Sequence, residues 1–191
     1  MGERPSLATE RLLLRPFSLS DANDVQRLAG DRAIADTTIN IPHPYEDGMA
    51  EEWIGKHQET FDQGKGVTFA ITTKANGALV GAISLMSVSA GHQAEMGYWV
   101  GKPYWNEGFC TEAANAVLRY AFEQMGLVRV HAIHFSRNSA SGRVMQKVGM
   151  KHEGRRAHHV RKWGVFEDLD LYGILREDWE KTTGPAVARD G

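Results

Sequence analysis

Glu95 stands in Ala94-Glu95-Met96-Gly97-Tyr98-Trp99-Val100, a carboxylate set into an alternating run that predicts a β-strand. Alternation puts Glu95, Gly97 and Trp99 on one face, and Met96, Tyr98 and Val100 on the other. A carboxylate with such neighbours can take a proton from an amine, directly or through water. It can equally be a rim glutamate in a salt bridge. Shortly after, Trp105-Asn106-Glu107-Gly108-Phe109-Cys110-Thr111-Glu112-Ala113 enters a helix through a glycine. The first turn of a helix carries amides without intrahelical acceptors at the positive end of the dipole, which suits an anion. Asn106 and Gly108 tolerate unusual φ, and Gly108 has no side chain to block an approaching phosphate. The competing account is an ordinary strand-to-helix turn, because the stretch is neither a G-x-G-x-x-G fingerprint nor a Walker loop.

Asn138 and Ser141 follow a predicted strand ending in His134-Phe135-Ser136, and Ser139 is suited to cap the next helix. Read from the residues alone, all three are cap and turn residues. Cys110 lies at a helix N-terminus, where a thiol pKa falls. No His and Asn or Asp arrangement can be assigned to it, so a packing role is favoured over a nucleophile. The eight histidines suggest no metal site. His158 and His159 are adjacent in a predicted strand and point to opposite faces, and His131 and His134 also diverge. Lys147, Lys151, Arg155, Arg156, Arg161 and Lys162 face only Glu153 between 147 and 162. A solvated surface is the default account of that bias. The others are a phosphate met through Arg143 and Lys147, an acidic substrate, or ribosomal RNA.

These groups must be positioned by a scaffold, and the composition bounds it. The 191 residues are 42% hydrophobic, which suits one domain with a real core. Lys and Arg total 22 against 24 Asp and Glu, a net charge of -2, which argues against general affinity for nucleic acid or anionic membrane. No apolar run approaches the ~20 residues of a membrane span, and the first residues lack a signal layout. Cys110 is the single cysteine, so no internal disulfide can form; a reducing, cytoplasmic setting is expected.

Leu12-Leu13-Leu14-Arg15-Pro16 reads as a first strand closed by proline, and Ser20 as the N-cap of a short helix with Asp21 and Asp24 near its positive end. Met49, Trp53, His57 and Phe61 recur every four residues and predict one helix from Glu46 to about Asp62, ended by Gly64. Strands follow at Val67 to Ile71, Leu79 to Met86 and Ala94 to Val100, with Asn76-Gly77 offering a tight two-residue hairpin. Ala114, Val117, Leu118, Ala121, Phe122 and Met125 form the apolar face of a helix that stops at Gly126. A strand at Val128 to Phe135, a short helix, and strands at about Met150 to Lys162 and Phe166 to Leu175 complete the order. The fold class is α/β (α+β). The closing TTGPAVARDG is expected to fray.

Five segments in order give a resemblance: Thr9-Glu10-Arg11-Leu12-Leu13-Leu14-Arg15-Pro16, Glu95 to Val100, Trp105 to Ala113, Asn138 to Met150, and Asp168 to Trp179. Together they resemble the GNAT (Gcn5-related) N-acetyltransferase superfamily, and within it the RimJ/RimL-like branch, over about Thr9 to Trp179. The resemblance implies a single GNAT domain: a twisted, mixed, mostly antiparallel sheet flanked by helices, using acetyl-coenzyme A and no metal. It implies that the amides of Gly108, Phe109, Cys110 and Thr111 bind the cofactor's pyrophosphate, with Asn106 and Glu107 shaping the turn. Trp99 and Val100 would border the cofactor, Val100 offering its amide to the oxyanion where the strand splays. Asn138 would contact the pantetheine arm and Arg143 the 3′-phosphate. Glu95 would be the base.

Relatives often place a tyrosine acid where this chain has Met145, and the branch can use a serine at Ser141 instead. They also commonly carry a basic residue where this chain has Glu107. The implied activity is acetylation of an amine by direct transfer in a ternary complex. A protein N-terminal α-amine, with a pKa of about 7.7–8.0, needs less help from a base than a lysine near about 10.4. A small-molecule amine (polyamine, aminoglycoside or amino acid) and a non-catalytic acyl-coenzyme A sensor are the alternatives, and a homodimer is left open.

Overall fold

The alternating stretches do pair, and they pair in sequence order until a crossover. In a computed structural model that describes residues 2–183, the strands are β1 (Leu7–Ala8), β2 (Leu12–Arg15), β3 (Val67–Thr73), β4 (Leu79–Ser89), β5 (Gln93–Val100), β6 (Arg129–Phe135), β7 (Lys151–Lys162) and β8 (Val165–Leu175). They form one sheet in the order β1-β2-β3-β4-β5-β6-β8-β7. Every neighbouring pair is antiparallel except β5 with β6. That parallel pair holds only over Gln93–Arg129, Ala94–Val130 and Glu95–His131. Beyond it β5 stays with β4 and β6 with β8, so the two strands part.

The helices are α1 (Ala22–Ala29), α2 (Arg32–Thr37), α3 (Met49–Gly55), α4 (His57–Asp62), α5 (Phe109–Arg119), α6 (Ser139–Lys147) and α7 (Arg176–Thr183). Period-two alternation divides the core between the sheet faces. Phe69, Ile71, Ile83, Leu85 and Met96 pack with Val117, Leu118 and Phe122. Ala70 and Ala82 on the other side pack with Phe17, Val25 and Ile54.

Several boundaries depart from the pattern-based expectation, each for a local reason. The first helix is entered through Ser18, not Ser20: Ser18 N–H donates to Asp21 Oδ2 at 2.9 Å, and a short 3₁₀ turn, Leu19–Asp21, precedes α1. The helix expected from Glu46 to Asp62 is two, α3 and α4, divided at Lys56 just after Gly55, a poor helix former. The Asn76-Gly77 hairpin is a longer loop, closed by Thr73 N–H to Ala78 O at 3.0 Å. Gly77 has a φ of 71°, whereas Asn76 does not take a positive φ. Its side chain instead accepts from Ala78 N–H at 3.1 Å. Beyond α5 the chain runs on as a wider π turn, Tyr120–Gln124. Three labelled elements were not foreseen, the brief β1 and the helices α2 and α7. Of TTGPAVARDG, Thr182 and Thr183 belong to α7 and the rest lies outside the described residues.

Candidate active site

The parting of β5 from β6 opens a cleft of about 910 Å³ that reaches both sheet faces. From one face it is lined by Glu95, Trp99, Trp53 and Tyr45, and from the other by Tyr98, Cys110, Ser141 and Arg143. Of the residues singled out in the sequence, Glu95, Trp99, Val100, Asn106, Gly108, Phe109, Cys110, Thr111, Asn138, Ser141 and Arg143 all line it. Glu107 does not; it is exposed, and only its carbonyl is engaged.

Gly108 caps α5 with a φ of 79°, a left-handed conformation that favours glycine, and no side chain caps the helix. The first intrahelical acceptor is Gly108 O, reached by Glu112 N–H at 3.1 Å. The amides of Phe109, Cys110 and Thr111 therefore have no acceptor within the helix and open on the cleft, the geometry an anion needs. Asn106, with a φ of 66°, turns the chain into this mouth.

A cation that sequence reading missed stands here. Arg11, the residue before β2, donates through Nη1 to Glu107 O at 3.0 Å and through Nε to Glu112 Oε2 at 2.7 Å. Its guanidinium lies 4.8 Å from the centre of the Phe109 ring. A Cβ added to Gly108 would sit 3.4 Å from Arg11 Nη2. Burial works to raise the Glu112 carboxyl pKa, but hydrogen bonds from Thr9 and Arg11 outweigh it and hold the group below the usual range. The only sequence signal for Arg11 was its place in the Thr9–Pro16 segment, far from the glycine turn.

On β5 the hydrogen-bond alternation can be followed from Gly101, whose N–H donates to Val80 O of β4 at 2.8 Å. Val100, one residue earlier, must aim its N–H away from β4 into the gap. Its carbonyl accepts from the Trp105 indole at 2.6 Å. Glu95 lies beside His131, Oε2 to Nε2 at 3.7 Å, across the short parallel pairing. On the opposite face the Tyr98 hydroxyl is 2.9 Å from Ser141 Oγ and 3.0 Å from Ser141 O. Burial, with the nearby Cys110, pushes the Tyr98 phenol pKa far up and keeps it neutral. Met145, buried in the core beneath the cleft wall, supplies no acid.

Two sequence expectations are revised by packing. Burial pushes the Cys110 thiol up to about 12, overriding the helix terminus that would lower it. The cap of α6 is Asn138, not Ser139: Asn138 Oδ1 accepts from Ser141 N–H at 3.3 Å. Asn138 Nδ2 also donates to Thr37 O at 3.3 Å, and Ser139 Oγ receives Arg143 Nη1 at 3.1 Å.

The basic run after Lys147 is more balanced than its local sequence. Lys151 pairs with Asp178 at 2.7 Å and Arg155 with Asp170 at 2.8 Å. His134 is buried and packs tilted against Tyr172, while His131 turns to Glu95. Among the described residues no cluster of three His, Cys, Asp or Glu could hold a metal ion. No described helix is long and apolar enough to cross a membrane.

The profile described as the acetyltransferase (GNAT) domain matches residues 11–151, which spans β2 through the start of β7. The Bacillus subtilis protein named "Probable N-acetyltransferase YjcK" is 34% identical over 180 residues, covering 92% of this chain and 99% of its own length. Among solved structures, an acetyltransferase of the GNAT family from Bacillus anthracis is 28% identical and superposes with a TM-score of 0.80, covering 91% of this chain and 99% of that one. A RimL ribosomal L7/L12 α-N-protein acetyltransferase, solved with coenzyme A, shares the fold at a TM-score of 0.82 with 14% identity, over 90% of this chain and 98% of that one. A domain-length match, a full-length relative above 30% and the parted sheet agree: the chain belongs to the GNAT acetyltransferase family.

Proposed function

We propose that this chain moves an acetyl group from acetyl-coenzyme A to the α-amine of a protein N-terminus, in the manner of the RimJ/RimL-like branch. The observation that carries this reading is the cleft between β5 and β6, which joins an uncapped helix mouth to Glu95. The α-N-protein activity named for the RimL structure supports the choice of acceptor. The residues fit the cofactor. A cradle at Gly108 that a side chain would fill suits a diphosphate, with Arg11 replacing the basic residue that Glu107 displaces.

Acetyl-coenzyme A supplies the activated thioester; the chain supplies the rest. Glu95, directly or through water, takes the proton of the attacking amine. The Val100 N–H meets the negative charge that grows on the carbonyl oxygen. Ser141 Oγ–H gives a proton to the sulfur as the carbon–sulfur bond breaks. Cys110, held protonated by burial, fills space beneath Tyr98. Asn138 ties the start of α6 to the end of α2, and Arg143 faces the cofactor side of the cleft.

Thiol release from acetyl-coenzyme A, followed with and without a peptide bearing a free N-terminus, tests the reading. Amine-dependent release with mass gain on the peptide α-amine is expected. Cofactor binding without amine-dependent release would make the protein an acyl-coenzyme A sensor.

A further inference from the structure

The acceptor half of the cleft has a character that the acetyl-transfer chemistry does not require. Its wall is built by Trp53 of α3, Trp99 of β5, and Ile41 and Tyr45 of the segment between α2 and α3. All four are partly buried and rest on the second core cluster. Trp53 is fixed in place, its ring 5.0 Å from Phe17 and 4.4 Å from His57, both edge to face. The segment carrying Ile41 is tied as well: Lys162 Nζ, at the end of β7, donates to Ile39 O at 3.3 Å and to Ile41 O at 2.8 Å. Arg137 holds the end of α2 through Asp36 at 2.9 Å. A rigid aromatic and aliphatic wall of this kind is preformed for an apolar group.

The charges on the same half point the same way. Its ionisable lining groups among the described residues are Glu52, Lys56 and Glu95. The lining cation on that half, Lys56, is largely exposed and already lies 2.5 Å from Glu52, so the lining is negative on balance. Glu95 adds negative charge beside the reacting amine. The cationic lining residues Arg143 and Lys147 lie on the helix opposite, towards the cofactor end.

We infer that the acceptor is a primary amine carried next to a bulky apolar or aromatic group, with no carboxylate beside it. This rests on the acetyltransferase reading and narrows it. Two sources present that chemistry: a polypeptide whose first side chain is large and apolar, and a free arylalkylamine.

The experiment uses the full chain and peptides identical after the first residue, which is Phe, Leu, Ser or Asp, with phenethylamine and spermidine as free amines. A single methylene in an apolar pocket is worth about 10–200-fold in kcat/KM. Phe and Leu peptides should therefore exceed Ser by at least about tenfold, with Asp the poorest. Phenethylamine matching the Phe peptide would name the free amine as the source; a rate far below it would name the polypeptide. Trp53→Ala should shrink the Phe-over-Ser ratio by about tenfold, with coenzyme A affinity by calorimetry retained as proof of folding. Should that variant not fold, Ile41→Ser, at the edge of the same wall, should shrink the ratio too. Equal rates across the peptides, or Ser or Asp ahead of Phe, would overturn the apolar class while leaving acetyl transfer standing. Coenzyme A binding with no amine accepted would overturn both.

Discussion

Tyr98 changes what Ser141 can do. The phenol, 2.9 Å from Ser141 Oγ, donating to Ser141 O at 3.0 Å and kept neutral by burial, holds the serine hydroxyl in place and keeps its own proton while Oγ–H is given to sulfur. Ser141→Ala should slow the bound rate by about 10²-fold, within the usual span for a proton-transfer group. Tyr98→Phe should cost about tenfold alone and nothing further when added to Ser141→Ala, since coupled neighbours are not additive. Effects that multiply in the double variant would mean that Tyr98 does not act through Ser141.

Gly108 allows a second test at this scale. With φ at 79° and Arg11 Nη2 3.4 Å from a would-be Cβ, Gly108→Ala should lower the melting temperature by about 2–4 °C, the shift for roughly 1 kcal/mol at this chain length. Coenzyme A affinity should fall by at least about tenfold, or roughly 1.4 kcal/mol. Unchanged affinity by calorimetry would dismiss the backbone cradle. The glycine turn could be read from sequence because it is contiguous. Arg11 and Tyr98 could not, because their partners Glu107, Glu112 and Ser141 come from distant segments that only the folded sheet brings together.

Helices α3 and α4 hold an acid-sensitive joint. His57 is buried between Phe17 and Trp53 with neither ring nitrogen hydrogen-bonded. Burial, reinforced by Arg4, pushes its pKa down to about 4. An unfolded histidine titrates near ~6.5, so the unfolded chain binds the extra proton between those values. The His57 contribution to stability is thus full above about pH 6.5, falls as pH drops through the interval, and is spent near 4, a loss on the order of 3 kcal/mol. His57→Leu should flatten denaturant-derived stability over that window. A wild-type curve already flat there would mean the ring finds a partner. The carboxyl of Asp170, held at about 2 chiefly by its hydrogen bond from Arg155, acts only at lower pH and does not confuse the reading.

The same elements show what periodicity can and cannot deliver. The face of Met49, Trp53, His57 and Phe61 was visible as a repeat of four. The break at Lys56 was not, because a helix face is continuous across a change of turn type. Likewise Ser20 and Ser18 are equally good caps on paper, and Asp21, hydrogen-bonded to Ser18 N–H and paired with Arg15 at 2.7 Å, decides between them.

Across the molecule, the long β7–β8 hairpin reaches back over the acceptor segment through Lys162. Lys162→Met removes both carbonyl contacts and should raise KM for the amine severalfold, with the coenzyme A dissociation constant unchanged. A change in cofactor affinity instead would mean the hairpin braces the whole cleft. The short β5–β6 contact has another consequence. Among the described residues, the β1–β5 half of the sheet is joined to the β6–β8 half by three ladder pairs and, just before them, by His92 O, which accepts from Val128 and Arg129 N–H. Along β5 the amides of Gly97, Trp99 and Gly101 belong to the β4 ladder, while those of Tyr98 and Val100 look into the gap. In heavy water, β5 should therefore take up deuterium in alternation, Tyr98 and Val100 early, Gly97 and Trp99 late. A ligand lodged in the gap should erase that alternation, turning one strand into a residue-by-residue gauge of occupancy.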